Sequence, residues 1–415
     1  MRTKMIRRIS ALLAVVCILT AIPMSAGADT SSSMDGSYIL VNGYTKYYAG
    51  IAGSSPSQSM AVKQQSYAGN TTQFWTITKI PGTDRYWIKN GGYCLGLSGT
   101  TVQMQTPYDS SSSWGFQQWY LDPVEMIDGR FGRFKIRSAD SSQSGKVLGA
   151  VATSANSNVN LINYVSDTYY ADEWYLCPRD EATVTLNVGY DASYSSRFGD
   201  AASRIQPYLV ALQKKYITEF GIWISFTTPH IKTTYADQCN VGYNEFCHCV
   251  SNPECQNSGI GAHRLEEYHH TNINNIIFHN QLPSGNRLDM IFMGRHICEA
   301  GLHESRYIGG LVKSSQKTGV IVKWDSTSEE RAVVVHEFGH YKTHFARPGE
   351  TVLSYGLDHY ANGRTAELQQ LFPDDGYSDY CLYGVNQGNS NVIAGLTICG
   401  GCSKRILECR GQYIS

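Results

Sequence analysis

The segment H-E-F-G-H at residues 336–340 brings together side chains that can hold and use a metal ion. Histidines four positions apart lie on one face of a helix, so His336 and His340 can bind the same ion. Glu337 stands beside them, where its carboxylate can act first as general base and then as general acid. Imidazole nitrogens suit Zn2+, which polarises a carbonyl group and lowers the pKa of water. We therefore expect a zinc site for peptide hydrolysis, with His336 and His340 as ligands and Glu337 as catalytic residue.

The motif requires a helix with a buried side. Ser326 and Thr327 are candidate N-caps, and Glu329 or Glu330 would complete a capping box. The apolar run 332–335 then leads into the motif, as a buried helix requires. A chance occurrence on a solvated helix is the alternative interpretation, and the apolar run argues against it.

Strands and helices alternate upstream of the motif, which indicates an α/β layer. A helix is predicted over Ser195 to Glu219, interrupted or bent at Pro207. The predicted strands are 183–188, 222–226, 288–293 and 319–324.

This order of elements, together with the motif, resembles the metzincin zinc metalloproteases. Their motif continues as H-E-x-x-H-x-x-G-x-x-H or ends in Asp, whereas this chain has Thr343 at the Gly position and Ala346 at the third-ligand position. The family also has a Met-turn beneath the zinc. Cys381-Leu382-Tyr383-Gly384 occupies that downstream position, with Leu382 or Tyr383 where Met would stand.

The resemblance implies a third zinc ligand further along the chain. His344 would lie about 12 Å from His336 on a continuing helix, too far to share its ion. If residues 346–357 are an insertion, Asp358-His359-Tyr360 returns to the family's ligand position, with His359 the first choice and Asp358 the second. A gluzincin-like arrangement would instead use Glu367 on a later helix.

The N-terminal part contains an internal repeat. Three triplets mark it, and each follows a short element that ends in Gly: Gln73-Phe74-Trp75, Gln117-Gln118-Trp119 and Asp172-Glu173-Trp174, after Gly50, Gly96 and Gly149. Three short β-rich units should close on a shared core. The pattern resembles the ricin-type β-trefoil lectins, whose repeats end in Q-x-W, and in that family the tryptophans pack the core.

In these lectins an Asp that accepts sugar hydroxyls stands where this chain has Gly50, Gly96 and Gly149. Sugar binding would therefore depend on other aromatic and polar side chains of the repeats. The candidates are Tyr67, Asn70 and Gln73, then Tyr108 and Gln117, then Tyr164. A spacer or protein-docking module is the alternative.

Composition restricts the class of protein. Residues 1–28 resemble a cleaved signal peptide, with four basic residues, an apolar stretch from Ile9 to Ile22 and Ala26-Gly27-Ala28, so we expect secretion. Without these four, 30 of the 34 basic residues remain beside 35 acidic ones. This net charge of −5 disfavours nucleic-acid binding, and no later apolar run is long enough for an integral membrane segment.

The chain has twelve cysteines, of which Cys17 lies in the leader. Eleven in an exported protein predict several disulfides and one thiol left over. One group, Cys239, Cys247, Cys249 and Cys255, is expected to pin a loop by disulfides, with a small metal knuckle as the alternative. A second group of five, Cys298, Cys381, Cys399, Cys402 and Cys409, is expected to form disulfides that close the C-terminal part.

The sequence thus predicts a signal peptide at 1–28, an all-β trefoil at 29–180 and an α/β (α+β) zincin-type metalloprotease domain at 181–415. We expect a secreted zinc endopeptidase that the trefoil targets to glycans on protein or glycoprotein substrates. The alternative is a lectin-like adhesin whose metalloprotease-like half is inactive.

Overall fold

A computed structural model describes residues 33–108, 115–150, 152–163, 170–231, 287–293, 297–298, 307–308, 310–313, 318–322, 326–341, 364–383, 387 and 389–413. Several predictions fall outside these residues. They are the signal peptide, Tyr164, the cysteine loop at 239–255, and the proposed third ligands Asp358 and His359.

The first region is a twelve-stranded sheet in which all pairs of neighbouring strands are antiparallel. Its strands are β1 Gly36–Asn42, β2 Tyr48–Ile51, β3 Val62–Gln65, β4 Trp75–Lys79, β5 Tyr86–Asn90, β6 Tyr93–Ser98, β7 Thr101–Gln105, β8 Trp119–Asp128, β9 Phe131–Ser138, β10 Lys146–Gly149, β11 Asn160–Asn163 and β12 Glu173–Pro178. The first strand β1 pairs with the last strand β12 in register from Tyr38 opposite Pro178 to Asn42 opposite Trp174, which joins the ends of the region.

Three tryptophans repeat one contact around this region. The indole N–H of Trp75 donates to the carbonyl oxygen of Ala49 at 2.9 Å. Trp119 makes the same bond to Leu95 at 3.0 Å, and Trp174 to Leu148 at 2.9 Å. All three rings are fully buried. Since each acceptor belongs to the residue immediately before the repeat's Gly, the three sequence units fold into equivalent structural units.

The second region contains a six-stranded sheet in the order β14-β13-β16-β20-β19, with β15 beside β13. Its strands are β13 Ala182–Tyr190, β14 Ile222–Phe226, β15 His230–Ile231, β16 Arg287–Met293, β19 Gly310–Lys313 and β20 Thr318–Val322. Strands β17 Ile297–Cys298 and β18 Tyr307–Ile308 form a separate pair. The four predicted strands correspond to β13, β14, β16 and β20, which pair in parallel, and β19 is antiparallel to β20.

The described helices are α1 Ala192–Phe198, α2 Ala201–Phe220, α3 Thr327–Gly339, α4 Arg364–Leu371, α5 Ser390–Gly395 and α6 Gly400–Glu408. The helix predicted from 195 to 219 is thus two helices, and its break is not at Pro207. Gly199, with φ +71°, ends α1, and the Asp200 side chain caps α2 by accepting from the Ser203 N–H. Pro207 lies inside the continuous helix α2.

Helix α3 carries the H-E-F-G-H motif. Ser326 is its N-cap and accepts a hydrogen bond from the Glu329 N–H at 3.4 Å. Glu330 is not a surface capping residue, because its carboxylate is completely buried. It accepts hydrogen bonds from the hydroxyls of Tyr194 and Tyr208 and an ion-pair contact from Arg204 at 2.8 Å. This network attaches the start of α3 to α1 and α2.

The two regions belong to one compact unit, Asp35–Ser415, and Arg410 joins them. Its fully buried guanidinium pairs with Asp128 at 2.7 Å and with Glu181 at 3.1 Å. It also donates to the carbonyl oxygens of Phe220 and Gly221 at the end of α2. One side chain therefore bonds the hairpin after β8, the start of β13 and the end of α2.

Candidate functional site

The end of α3 brings the two motif histidines together. The Nε2 atoms of His336 and His340 are 3.0 Å apart, and their rings meet edge to face at 4.9 Å. Two nitrogen ligands of one tetrahedral zinc ion, each about 2.0–2.1 Å from the metal, would lie about 3.3 Å apart. His340 is the cap of the helix rather than part of its interior, and it still faces His336. The pair therefore has the spacing that a shared Zn2+ requires.

His336 is held by the segment predicted to be the floor of the site. Its Nδ1 lies 2.7 Å from the carbonyl oxygen of Leu382, so Nδ1 carries the proton and Nε2 keeps its lone pair. The Tyr383 ring stacks on His336 at 4.7 Å and meets His340 edge to face at 5.7 Å. Burial lowers the pKa of His336 to about 4, partly offset by the Leu382 hydrogen bond. The imidazole is thus neutral at pH 7, as a metal ligand must be.

Glu337 lies next to the histidine pair on the buried part of the helix. Its carboxylate oxygen is 3.9 Å from Nε2 of His336, and the residue is 6% exposed. This distance is longer than a direct hydrogen bond, so the carboxylate lies beside the imidazole without bonding to Nε2. The three motif residues therefore converge on one small volume.

Four residues are candidates for the third zinc ligand. Glu367 belongs to helix α4, and nothing is described of its side chain. Asp358 and His359 lie outside the described residues, as does His344. The choice among these residues stays a prediction.

The lectin-type candidates Gln73 and Gln117 are both buried structural residues. The Gln73 amide donates to the Ser66 carbonyl at 2.7 Å, and its oxygen accepts from the Ala68 N–H at 2.8 Å. The Gln117 amide donates to the Gln105 side chain at 3.0 Å and to the Thr106 carbonyl at 2.9 Å. Their polar groups thus hold the loops of their own repeats.

The first repeat's other candidates also have structural partners. Asn70 caps a short 3-10 turn, Thr71–Gln73, by accepting from the Thr72 N–H at 3.1 Å. The Tyr67 hydroxyl donates to Gln213 of α2 at 2.5 Å. Its ring packs against Tyr48 at 5.0 Å. Tyr67 is therefore not an open stacking platform, because the helical region covers it.

Tyr108 of the second repeat has a different environment. Its side chain is 51% exposed, and its ring meets Phe116 edge to face at 5.8 Å. The Gln117 side-chain oxygen accepts a hydrogen bond from the Tyr108 N–H at 3.2 Å, which fixes the backbone beneath the ring. An exposed aromatic face on a fixed backbone is suited to stacking against a sugar ring.

The glycines that replace the lectin Asp make room for other side chains. A Cβ at Gly50 would lie 2.1 Å from the Gln65 amide oxygen, and one at Gly96 would lie 2.7 Å from that of Gln105. At Gly149 the nearest atom would be Cδ1 of Ile162, at 2.2 Å. Side chains of the opposite strand therefore occupy the space that a carboxylate would need.

A cleft of about 290 Å³ lies beside the first repeat. Ser37, Ser55, Thr72, Asn90 and Arg179 contribute polar groups to its lining. The Arg179 guanidinium lies 3.4 Å from the centroid of the Phe74 ring and 4.3 Å from that of the Trp223 ring. No sequence motif marks this cleft, because its residues come from distant strands and turns.

Comparison with known proteins concerns the first region. Residues 28–108 match the family model of the ricin-type β-trefoil lectin domain-like proteins. No curated protein matches the chain significantly.

Among solved structures, the designed three-fold symmetric protein ThreeFoil is 25% identical, with 34% of this chain and 98% of that chain covered and a TM-score of 0.29. The Polyporus squamosus lectin is 15% identical, with 35% and 49% covered and a TM-score of 0.27. A mosquitocidal holotoxin is 16% identical, with 34% and 17% covered and a TM-score of 0.29. The matched part thus spans less than two thirds of the lectin and of the holotoxin.

Within the described residues, no helix combines the length and apolarity needed to cross a membrane. The chain carries an all-β, trefoil-like lectin region at residues 28–108, and a further region with helices and a sheet follows it.

Proposed function

We propose that this protein is a secreted zinc-dependent endopeptidase whose trefoil region binds glycans on protein or glycoprotein substrates. The observation that carries the enzymatic part is the 3.0 Å approach of the His336 and His340 Nε2 atoms, with Glu337 beside them. Two features distinguish this pair from two histidines on a protein surface. The Glu337 carboxylate is buried 3.9 Å from His336, and the Leu382 carbonyl oxygen accepts a hydrogen bond from the other side of the His336 ring.

Each residue of the site has one proposed chemical role. His336 and His340 hold the zinc, and the Leu382 carbonyl keeps the proton of His336 on Nδ1, away from the metal. When bound, zinc supplies a Lewis acid that polarises the scissile carbonyl and acidifies water. Glu337 takes a proton from the attacking water and returns it to the leaving amine. His359, or else Asp358, is proposed to supply the third ligand.

The enzymatic proposal is tested with casein and mucin as substrates. Wild-type protein should cleave at least one of them, and Glu337→Gln should lose at least about 100-fold in rate, as removal of a general base does. Glu329→Gln is the matched control, because Glu329 lies in the first turn of the same helix. Equal rates for Glu337→Gln and wild type would refute the role of Glu337.

Tyr108 supports the glycan-binding proposal, because among the aromatic candidates in the described part of the chain its ring is exposed. On a glycan array, Tyr108→Ala should reduce the apparent affinity about three- to tenfold, since stacking on an aromatic ring contributes about 0.5–1.5 kcal/mol. Tyr44→Ala is the control, because Tyr44 is also exposed on the trefoil region. Binding that is the same in Tyr108→Ala and wild type would exclude this surface.

The trefoil would raise the local substrate concentration at the catalytic region, because both belong to one chain. A binding protein with an inactive second half is the competing function. The departures at Thr343 and Ala346 motivate it. A folded protein that binds glycans but neither zinc nor any protein substrate would favour this alternative.

A further inference from the structure

Three cysteine thiols meet in the second region, beside the segment that supports His336. The Sγ atoms of Cys381, Cys399 and Cys402 all lie within 4.8 Å of one another, and all three residues are buried. Cys381 comes directly before the Leu382–Tyr383 segment that supports His336. Cys399 is the N-cap of α6, and Cys402 lies in the first turn of that helix.

We propose that Cys381, Cys399 and Cys402 bind a structural zinc ion, separate from the site at His336 and His340. Two sulfurs of one tetrahedral zinc site lie about 3.8 Å apart, because each Zn–S bond is about 2.3 Å. A disulfide joins two sulfurs and leaves the third buried beside it, whereas one ion uses all three. The C-x-x-C spacing of Cys399 and Cys402 also matches that of zinc ligand pairs.

Two backbone N–H groups point to the Cys381 sulfur. The N–H of Cys399 lies 3.2 Å from it, and the N–H of Tyr383 lies 3.5 Å from it. Donors of this kind orient a ligand towards its metal. Cys399 and Cys402 both lie at the start of α6, so one helix holds two of the three sulfurs.

Gly400 and Gly401, between Cys399 and Cys402, allow the first turn of α6 to pack closely against the preceding segment. A Cβ at Gly400 would lie 2.6 Å from the Asp375 carbonyl oxygen, and one at Gly401 would lie 2.5 Å from the Tyr377 ring. Cys409 does not belong to this site, because the nine-residue helix α6 separates it from Cys399 by about 15 Å. Three thiolates thus supply three of the four ligands of a tetrahedral ion.

This ion would also help to hold His336 of the neighbouring site in position. It would connect the segment 381–383 to α6, and that segment carries both the Leu382 carbonyl and the Tyr383 ring that contact His336. The proposed ion therefore fixes the floor beneath His336 without touching substrate.

The first test measures metal content in the full-length chain. In the double variant His336→Ala/His340→Ala, which removes the other proposed zinc site, we expect about one zinc per chain to remain. Adding Cys399→Ser/Cys402→Ser should reduce this to near zero, whereas adding Cys94→Ala, in a buried cysteine of the trefoil region, should not. A folded histidine double variant without zinc would overturn the proposal.

A second measurement does not depend on the cysteine variants folding. Co2+ loaded into the histidine double variant should give the strong sulfur-to-cobalt charge-transfer absorption of a thiolate site. Absence of this absorption, or non-reducing peptide maps that link any two of the three cysteines by a disulfide, would overturn the proposal. If only the endopeptidase proposal is wrong, the wild-type protein will show no proteolysis while the histidine double variant still gives the cobalt signal. The two proposals can therefore fail separately.

Discussion

The carbonyl oxygen of Leu382 accepts a hydrogen bond from Nδ1 of His336 at 2.7 Å, across 46 residues of sequence. The segment expected to replace a Met-turn thus lies directly under the first motif histidine. No side chain of that segment needs to bind metal for this role. The backbone provides the hydrogen bond, and Tyr383 provides the apolar floor.

The Tyr383 ring should therefore determine how firmly His336 is held. Tyr383→Phe keeps the stacked ring, so zinc affinity should stay within about threefold of wild type. Tyr383→Leu removes the ring, and we expect zinc affinity to fall at least tenfold, as for other groups that orient a ligand. Competition with a zinc chelator gives the affinities. Thermal unfolding in the same buffer serves as control, because loss of a buried ring also lowers stability. Equal zinc affinities for the two variants would contradict the role of the ring.

The three equivalent tryptophans should contribute similarly to stability. Trp75→Phe, Trp119→Phe and Trp174→Phe each leave a buried carbonyl without its indole donor, which costs about 1–3 kcal/mol. Urea unfolding should place all three variants in this range. Trp87→Phe is the control, because Trp87 is only half-buried on β5, and it should change the free energy of unfolding by less than about 0.5 kcal/mol. A large effect of only one core tryptophan would show that the three repeats are energetically different.

Arg410 should be among the most sensitive positions of the chain. Arg410→Met removes the cation that the Asp128 and Glu181 carboxylates share and the donor to two carbonyl oxygens, so we expect a loss of about 2–4 kcal/mol. Denaturant unfolding measures it. Lys214→Met, at an exposed position of α2, tests whether any change of cation to Met has the same effect. A stability change below about 1 kcal/mol for Arg410→Met would contradict the structural role of this contact.

Alkaline pH should destabilise the protein through its buried tyrosines. Burial raises the pKa of eight of them above the usual value: Tyr38, Tyr48, Tyr67, Tyr194, Tyr208, Tyr216, Tyr341 and Tyr383. In the unfolded chain they ionise near pH 10. Their contribution to the free energy of unfolding is therefore complete below about pH 10, and it decreases as the pH rises above that value.

The measurement is the free energy of unfolding at about pH 8 and about pH 11, together with tyrosinate absorbance. We expect stability to be lower at the higher pH and part of the absorbance to rise only as the protein unfolds. Ionisation of all tyrosines in one transition near pH 10, with the fold intact, would contradict these pKa shifts.

Much of the architecture follows from local patterns in the sequence. The triplets around Trp75, Trp119 and Trp174 identified the repeats, because a buried tryptophan needs the same acceptor in each unit. The strand at 222–226 agrees residue for residue with β14, since its apolar run is bounded by Gly221. Ser326 was also predicted as the N-cap of the motif helix.

Long-range contacts could not be predicted in the same way. The sequence offers Glu330 as a capping-box candidate, and nothing in its neighbourhood reveals its contacts with Tyr194, Arg204 and Tyr208, more than a hundred positions away. Tyr67 looked like a sugar platform, since the sequence does not show that Gln213 covers it. The sequence places Cys381, Cys399 and Cys402 in one group of cysteines, but it does not show that their three sulfurs meet.

The contact between Arg410 and the two regions also constrains the order of assembly during synthesis. The trefoil strands can pair as soon as β12 has been made, because β1 and β12 complete their sheet. The junction, however, keeps Asp128, Glu181 and the end of α2 without their shared cation until residue 410 leaves the ribosome. Regions of a chain generally fold as units in the order of their synthesis. The Arg410 contacts are therefore completed last, whereas the hydrogen bond from Tyr67 to Gln213 can form once α2 has been made, so chains released before residue 410 would keep that contact and lack only the buried ion pairs of the junction.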